Sequence, residues 1–136
     1  MISKRKAKAR HGFTIIELMI SVFVVTLAIV GFVGANVMAQ RNAEEMHERT
    51  IALQNANRVL EEMRSATKVT GFPQNVTNGF PQNGFVSGFT DLTNEQVQVS
   101  YVNPTADPLD VQVTVSWLSY AHRQQSETVR TYITQR

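Results

Sequence analysis

The chain has 136 residues, 18% charged and 43% hydrophobic, which leaves room for one small folded domain beside any membrane segment. It has no cysteine, so a disulfide framework, thiol chemistry and a cysteine-based metal site are all excluded. The net charge of +2 is no pointer to nucleic acid: five of the 13 Lys and Arg fall in residues 1–12, and beyond them eight cations face 11 anions, a net charge of −3.

Those five cations, Lys4, Arg5, Lys6, Lys8 and Arg10, come with no acidic residue and are followed at once by an apolar run. From Leu18 to Gln40 there is no charge, and about 20 apolar residues suffice for an α-helix to cross the hydrocarbon of a bilayer. The charge asymmetry keeps the N-terminus cytoplasmic and places the residues after Gln40 outside. Glu17 breaks the pattern, because a carboxylate at bilayer depth costs on the order of 3 kcal/mol when unpaired. It therefore needs a cationic partner.

The junction reads Gly12-Phe13-Thr14-Ile15-Ile16-Glu17-Leu18 after a short basic leader. In these residues the chain resembles the type IV pilin superfamily, which includes pilus subunits and the pseudopilins of type II secretion. The resemblance implies that a prepilin peptidase cuts between Gly12 and Phe13 and that Phe13 becomes the N-methylated terminus. It also implies that Glu17 sets subunit register by pairing with the Phe13 amine of a neighbour. Membership of this kind would place the precursor in the inner membrane, single-pass, and later in a periplasmic or cell-surface filament. The partners implied are the peptidase, other pilin or pseudopilin subunits, an inner-membrane assembly platform and the lipid bilayer. No direct nucleic-acid contact and no cofactor are expected. The lack of cysteine tilts the reading towards a minor pilin or minor pseudopilin, since many major pilins close their C-terminal region with a disulfide. The alternative is a signal-anchored protein with a small extracytoplasmic binding head that does not polymerise.

Gly31 and Gly34 interrupt the apolar run, and each weakens a helix by about 1 kcal/mol relative to alanine. They serve either close packing against other helices or, as the resemblance implies, local melting when the helix leaves the bilayer. Residues 13–40 are thus expected as the transmembrane or filament-core half of a long helix, and 41–70 as its amphipathic half. The second half, up to Lys68, contains no Pro or Gly and carries Met46, Leu53 and Leu60 every seven residues, with Ala56 and Met63 between turns and Ile51 and Val59 flanking them, as an apolar stripe. Glu44, Glu45, Glu48, Arg49, Arg58, Glu61, Glu62 and Arg64 form the opposite, solvated face, with Glu45–Arg49 and Glu61–Arg64 as candidate pairs.

Gly-Phe-Pro-Gln-Asn occurs at 71–75 and again at 79–83, so residues 71–95 are expected as an irregular loop anchored by Phe72, Phe80, Phe85 and Phe89. Residues 96–136 alternate in three stretches, at Val97–Val102, Asp110–Trp117 and Glu127–Thr134, which predicts a three-stranded antiparallel meander. The fold class is α+β, pilin-like, with the sheet covering the stripe of the helix. Asp107 and Asp110 are weak calcium candidates, since calcium takes six or more oxygens. His11, His47 and His122 are scattered and no catalytic motif appears, so no enzymatic role is expected.

Overall fold

The computed structural model describes residues 13–68 and 70–135. The chain divides into two compact units at Gln40/Arg41. Helix α1, Ile15–Ala66, begins in the first and ends in the second.

In the first unit every described side chain from 13 to 40 is exposed. Three polar residues of its charge-free run, Ser21, Thr26 and Asn36, bond back to carbonyls of the preceding turn. Ser21 Oγ donates to the Glu17 carbonyl at 2.7 Å, Thr26 Oγ1 to that of Val22 at 2.8 Å, and Asn36 Nδ2 to that of Phe32 at 3.0 Å. Such back-bonding lets hydroxyls sit in hydrocarbon without an orphaned donor. The helix continues unbroken through Gly31 and Gly34, and a Cβ at either would meet nothing within 4 Å. No neighbour among the described residues therefore requires these glycines.

The second unit is a helix on a four-stranded antiparallel sheet of order β1-β2-β3-β4: β1 Phe85–Val86, β2 Gln96–Tyr101, β3 Leu109–Leu118 and β4 Gln124–Ile133. The sequence expectation of three strands missed β1. Its two residues pair with Gln98 and Val97 of β2, and a strand that short cannot express an alternation. Strands β2, β3 and β4 follow the alternation read from sequence, with Val97, Val99 and Tyr101 and then Leu109, Val111, Val113, Val115 and Trp117 buried on the helix side. On β4 only Ile133 is buried, as suits an edge strand.

The helix face in the core is the expected one from Ala56 onward and differs before it. Ala52, Ala56, Val59, Leu60 and Met63 are buried, at spacings of four, seven, eight and eleven from Ala52. Met46 and Leu53 are 66% and 41% exposed. A seven-residue recurrence drifts about 20° per heptad around a straight helix. Close approach to a sheet also favours the small Ala52 and Ala56 over a second leucine.

Between helix and sheet, the stretch expected to be irregular contains helix α2, Gln74–Gly79, as well as β1. The two copies of the pentapeptide fold differently. In the first, Gly71 takes φ +104, Pro73 is the N-cap of α2, and Asn75 Nδ2 donates to the Ala66 carbonyl at 2.7 Å, satisfying an end group of α1. In the second, Gln82 pairs with the backbone of Tyr101, accepting from its N–H at 2.8 Å and donating to its carbonyl at 3.1 Å. A side-chain amide thus extends the ladder beyond β1. Gly84 closes that copy against Pro81, whose carbonyl lies 2.8 Å from where a Cβ would stand. Phe72, Phe80 and Phe89 pack on the core, while Phe85, expected with them, is 67% exposed on β1.

Candidate functional site

The described part of the candidate site is the start of α1. Thr14 precedes the helix, its carbonyl accepts from the Leu18 N–H at 3.2 Å and its Oγ1 accepts from the Glu17 N–H at 3.3 Å. That is N-cap geometry, in which a hydroxyl satisfies one of the four amides a helix leaves unpaired at its start. The sequence signal for it is Thr-x-x-Glu at 14 to 17, a capping pattern that hydropathy and charge do not single out. It fixes Glu17 in the first turn, where a carboxylate is favoured by the positive end of the helix dipole. Phe13 lies just outside the helix and is 78% exposed. Gly12 and the five leader cations lie outside the described residues.

From this cap the charge-free run extends with no side chain covered by the protein. Helix α1 contains a stretch long and apolar enough to cross a membrane, and none of that stretch is buried. A core helix of the same length would be covered by its own domain. Between Phe13 and Met38 seventeen large hydrophobic side chains are exposed, a burden water does not tolerate at about 1.5–3 kcal/mol per fully transferred side chain.

The charged face of the second half of α1 does different work from that expected. Glu45 and Arg49 do not pair with each other. Arg123 Nη2 donates to Glu45 Oε1 at 2.6 Å, and Arg49 Nε lies 3.7 Å from Glu127 Oε1. Glu48 accepts from the Trp117 indole N–H at 3.1 Å and from the Tyr120 backbone N–H at 2.9 Å. Three helix positions thereby hold the β3–β4 hairpin. The signal that could have exposed this is Trp117 itself, since a buried indole needs an acceptor. Glu61 and Arg64 do form the expected pair, joined by Arg58–Glu62 at 3.4 Å. Further along, Asn55 donates to both Asp91 Oδ2 at 3.1 Å and Glu95 Oε1 at 2.7 Å, tying the segment before β2 to the helix.

Of the calcium candidates Asp107 and Asp110, the second is engaged in an ion pair. Both oxygens of Asp110 are taken by Arg130, at 2.9 and 2.6 Å. Those hydrogen bonds, reinforced by the guanidinium charge, hold the Asp110 carboxyl below the usual carboxylate range. Among the described residues no group of three or more His, Asp or Glu is placed to hold a metal ion. The Tyr101 hydroxyl, which donates to the Phe80 carbonyl at 2.7 Å, has its pKa raised by burial.

Compared with known proteins, the chain matches the prokaryotic N-terminal methylation motif over residues 7–33. No curated protein and no solved structure matches it. The matched span runs from the basic leader through Glu17 and beyond Gly31, so it covers the capped helix start and most of the uncovered apolar run. The chain therefore carries a prepilin-type N-terminal methylation motif of the type IV pilin-like kind, on a helix suited to membrane anchoring.

Proposed function

We propose that this protein is a minor pilin or minor pseudopilin, a structural subunit of a type IV pilus-like or type II secretion filament. The observation that carries the proposal is a helix capped by Thr14 within the matched methylation motif, with Glu17 in its first turn and an uncovered, charge-free run from Leu18 to Gln40 behind it. In this reading a prepilin peptidase removes residues 1–12 by cutting after Gly12 and methylates the new amine of Phe13. The precursor waits in the inner membrane with its head outside, and the head contributes no chemistry of its own.

Assembly follows from the electrostatics of Glu17. In a packed bundle of apolar helices a lone carboxylate is costly, and a neighbour's Phe13 ammonium can neutralise it. Pairing fixes the axial step, because a slip leaves both charges unmatched in low dielectric. Gly31 and Gly34 then allow close approach of neighbouring helices or give way when the helix is drawn from the bilayer.

The test is a Glu17→Gln variant, which keeps the shape and the helix but removes the charge, expressed with a functional peptidase and assembly system. The expected outcome is normal processing with loss of the protein from sheared filaments. Undiminished incorporation would overturn the register role. Absence of the wild type from every filament, despite processing, would favour a signal-anchored head that does not polymerise.

A further inference from the structure

We propose that the cleft between the base of the head's helix and the β3–β4 turn docks a phospholipid headgroup, with Arg41 as the phosphate ligand and Tyr120 as an interfacial anchor. The inference rests on the reading of residues 18–40 as a membrane span. The cleft has a volume of ≈ 370 Å³ and is lined by Arg41, Glu44, Glu45, Tyr120, Ala121 and Arg123.

Its charges are not equivalent. Arg123 is held by Glu45 at 2.6 Å, whereas Arg41 and Glu44 enter no ion pair among the described residues. The Tyr120 side chain is 76% exposed although its backbone N–H is fixed by Glu48 at 2.9 Å. The turn thus presents an aromatic ring to the outside from a well-held position. A free guanidinium beside an exposed tyrosine is the pairing found at membrane–water interfaces, where the ring sits at headgroup level.

Continuity of the chain selects lipid as the occupant. Arg41 is the first charged residue after the run from Leu18 to Gln40, so when that run fills the hydrocarbon the guanidinium emerges among lipid phosphates. Glu44 in the same cleft disfavours a bare inorganic anion but can accept hydrogen bonds from the hydroxyls of a glycerol headgroup. Arg41 on the phosphate and Glu44 on the hydroxyls describe phosphatidylglycerol-type chemistry.

The absence of cysteine permits clean single-site labelling of the full chain. Nitroxide labels at Ala121→Cys, Thr105→Cys and Phe23→Cys would be compared in phosphatidylcholine nanodiscs with and without phosphatidylglycerol, using a nickel chelate tethered to a headgroup as relaxation agent. The expected result is severalfold stronger relaxation at 121 than at 105, increased by phosphatidylglycerol. Arg41→Gln should reduce the phosphatidylglycerol-dependent part about fivefold, the effect of one arginine charge near an anionic surface. Equal relaxation at 121 and 105, or an enhancement indifferent to both phosphatidylglycerol and Arg41→Gln, would overturn the site. Protection of 121 that arises only in assembled filaments would assign the cleft to a neighbouring subunit instead. The label at 23 separates the two readings: if it is not in hydrocarbon the span fails and docking with it, whereas if it is, a negative result at 121 removes only the docking site.

Discussion

The two halves of helix α1 differ in an instructive way. Residues 15–40 are by far the more apolar and have no buried residue, while residues 41–66 are rich in charge and bury six, Ala52, Asn55, Ala56, Val59, Leu60 and Met63. Burial within the domain thus depends on pattern rather than content. A stripe of small and apolar residues on one side can be covered by a sheet, whereas a helix apolar on every side can be covered only by lipid or other helices. One helix therefore has two solvents, and mutations in its halves should register in different measurements.

The contrast is broken most severely at Met63, which is fully buried in the head. Met63→Ala should destabilise the head by about 2–5 kcal/mol in denaturant titration and leave membrane partition unchanged. The matching change at Met46, exposed despite its place in the heptad pattern, should fall within about 0.5 kcal/mol. Comparable losses at both positions would restore the stripe expected from sequence. In the other half, Leu27→Arg should cost about 3 kcal/mol of membrane insertion, read as a shift from the membrane to the soluble fraction, without moving the unfolding midpoint of the head.

The smallest effect is the pH dependence of the pair on the outer sheet face. The Asp110 carboxyl is held below its ordinary value by Arg130, so the native state binds fewer protons there than the unfolded chain. Its contribution is present above about pH 4, the range of an unfolded aspartate, and is lost as pH falls through the depressed native value. Thermal melts of wild type and Asp110→Asn should therefore differ at neutral pH and converge in strong acid. A constant difference across that range would show that the ion pair does not stabilise the sheet.

Much of this architecture was legible in the chain. The basic leader, Glu17 and the charge-free run identify the first unit by composition alone, and strict alternation from Val97, Val111 and Val129 onward exposes three strands. The rest depends on contacts distant in sequence. The pentapeptide Gly-Phe-Pro-Gln-Asn is the sharpest case, because its first copy starts α2 and caps α1 through Asn75, while its second lies along β2 through Gln82. Identical local propensities give two conformations, and the neighbouring backbone decides between them. Glu45, Glu48 and Arg49 likewise look like a solvated helix face until Trp117, Arg123 and Glu127 are brought to them by the β3–β4 hairpin. The Thr14 cap was readable and needed no distant contact.

Prepilin-type processing is what would release the apolar half of α1 to its partners in a filament. Intact mass and N-terminal peptide sequencing of the protein from membranes containing an active prepilin peptidase test it directly. The expected chain begins at N-methylated Phe13, with Gly12→Leu retaining the basic leader. A wild-type chain that still carries Met1 to His11 under those conditions would contradict prepilin-type processing and leave Glu17 without its partner.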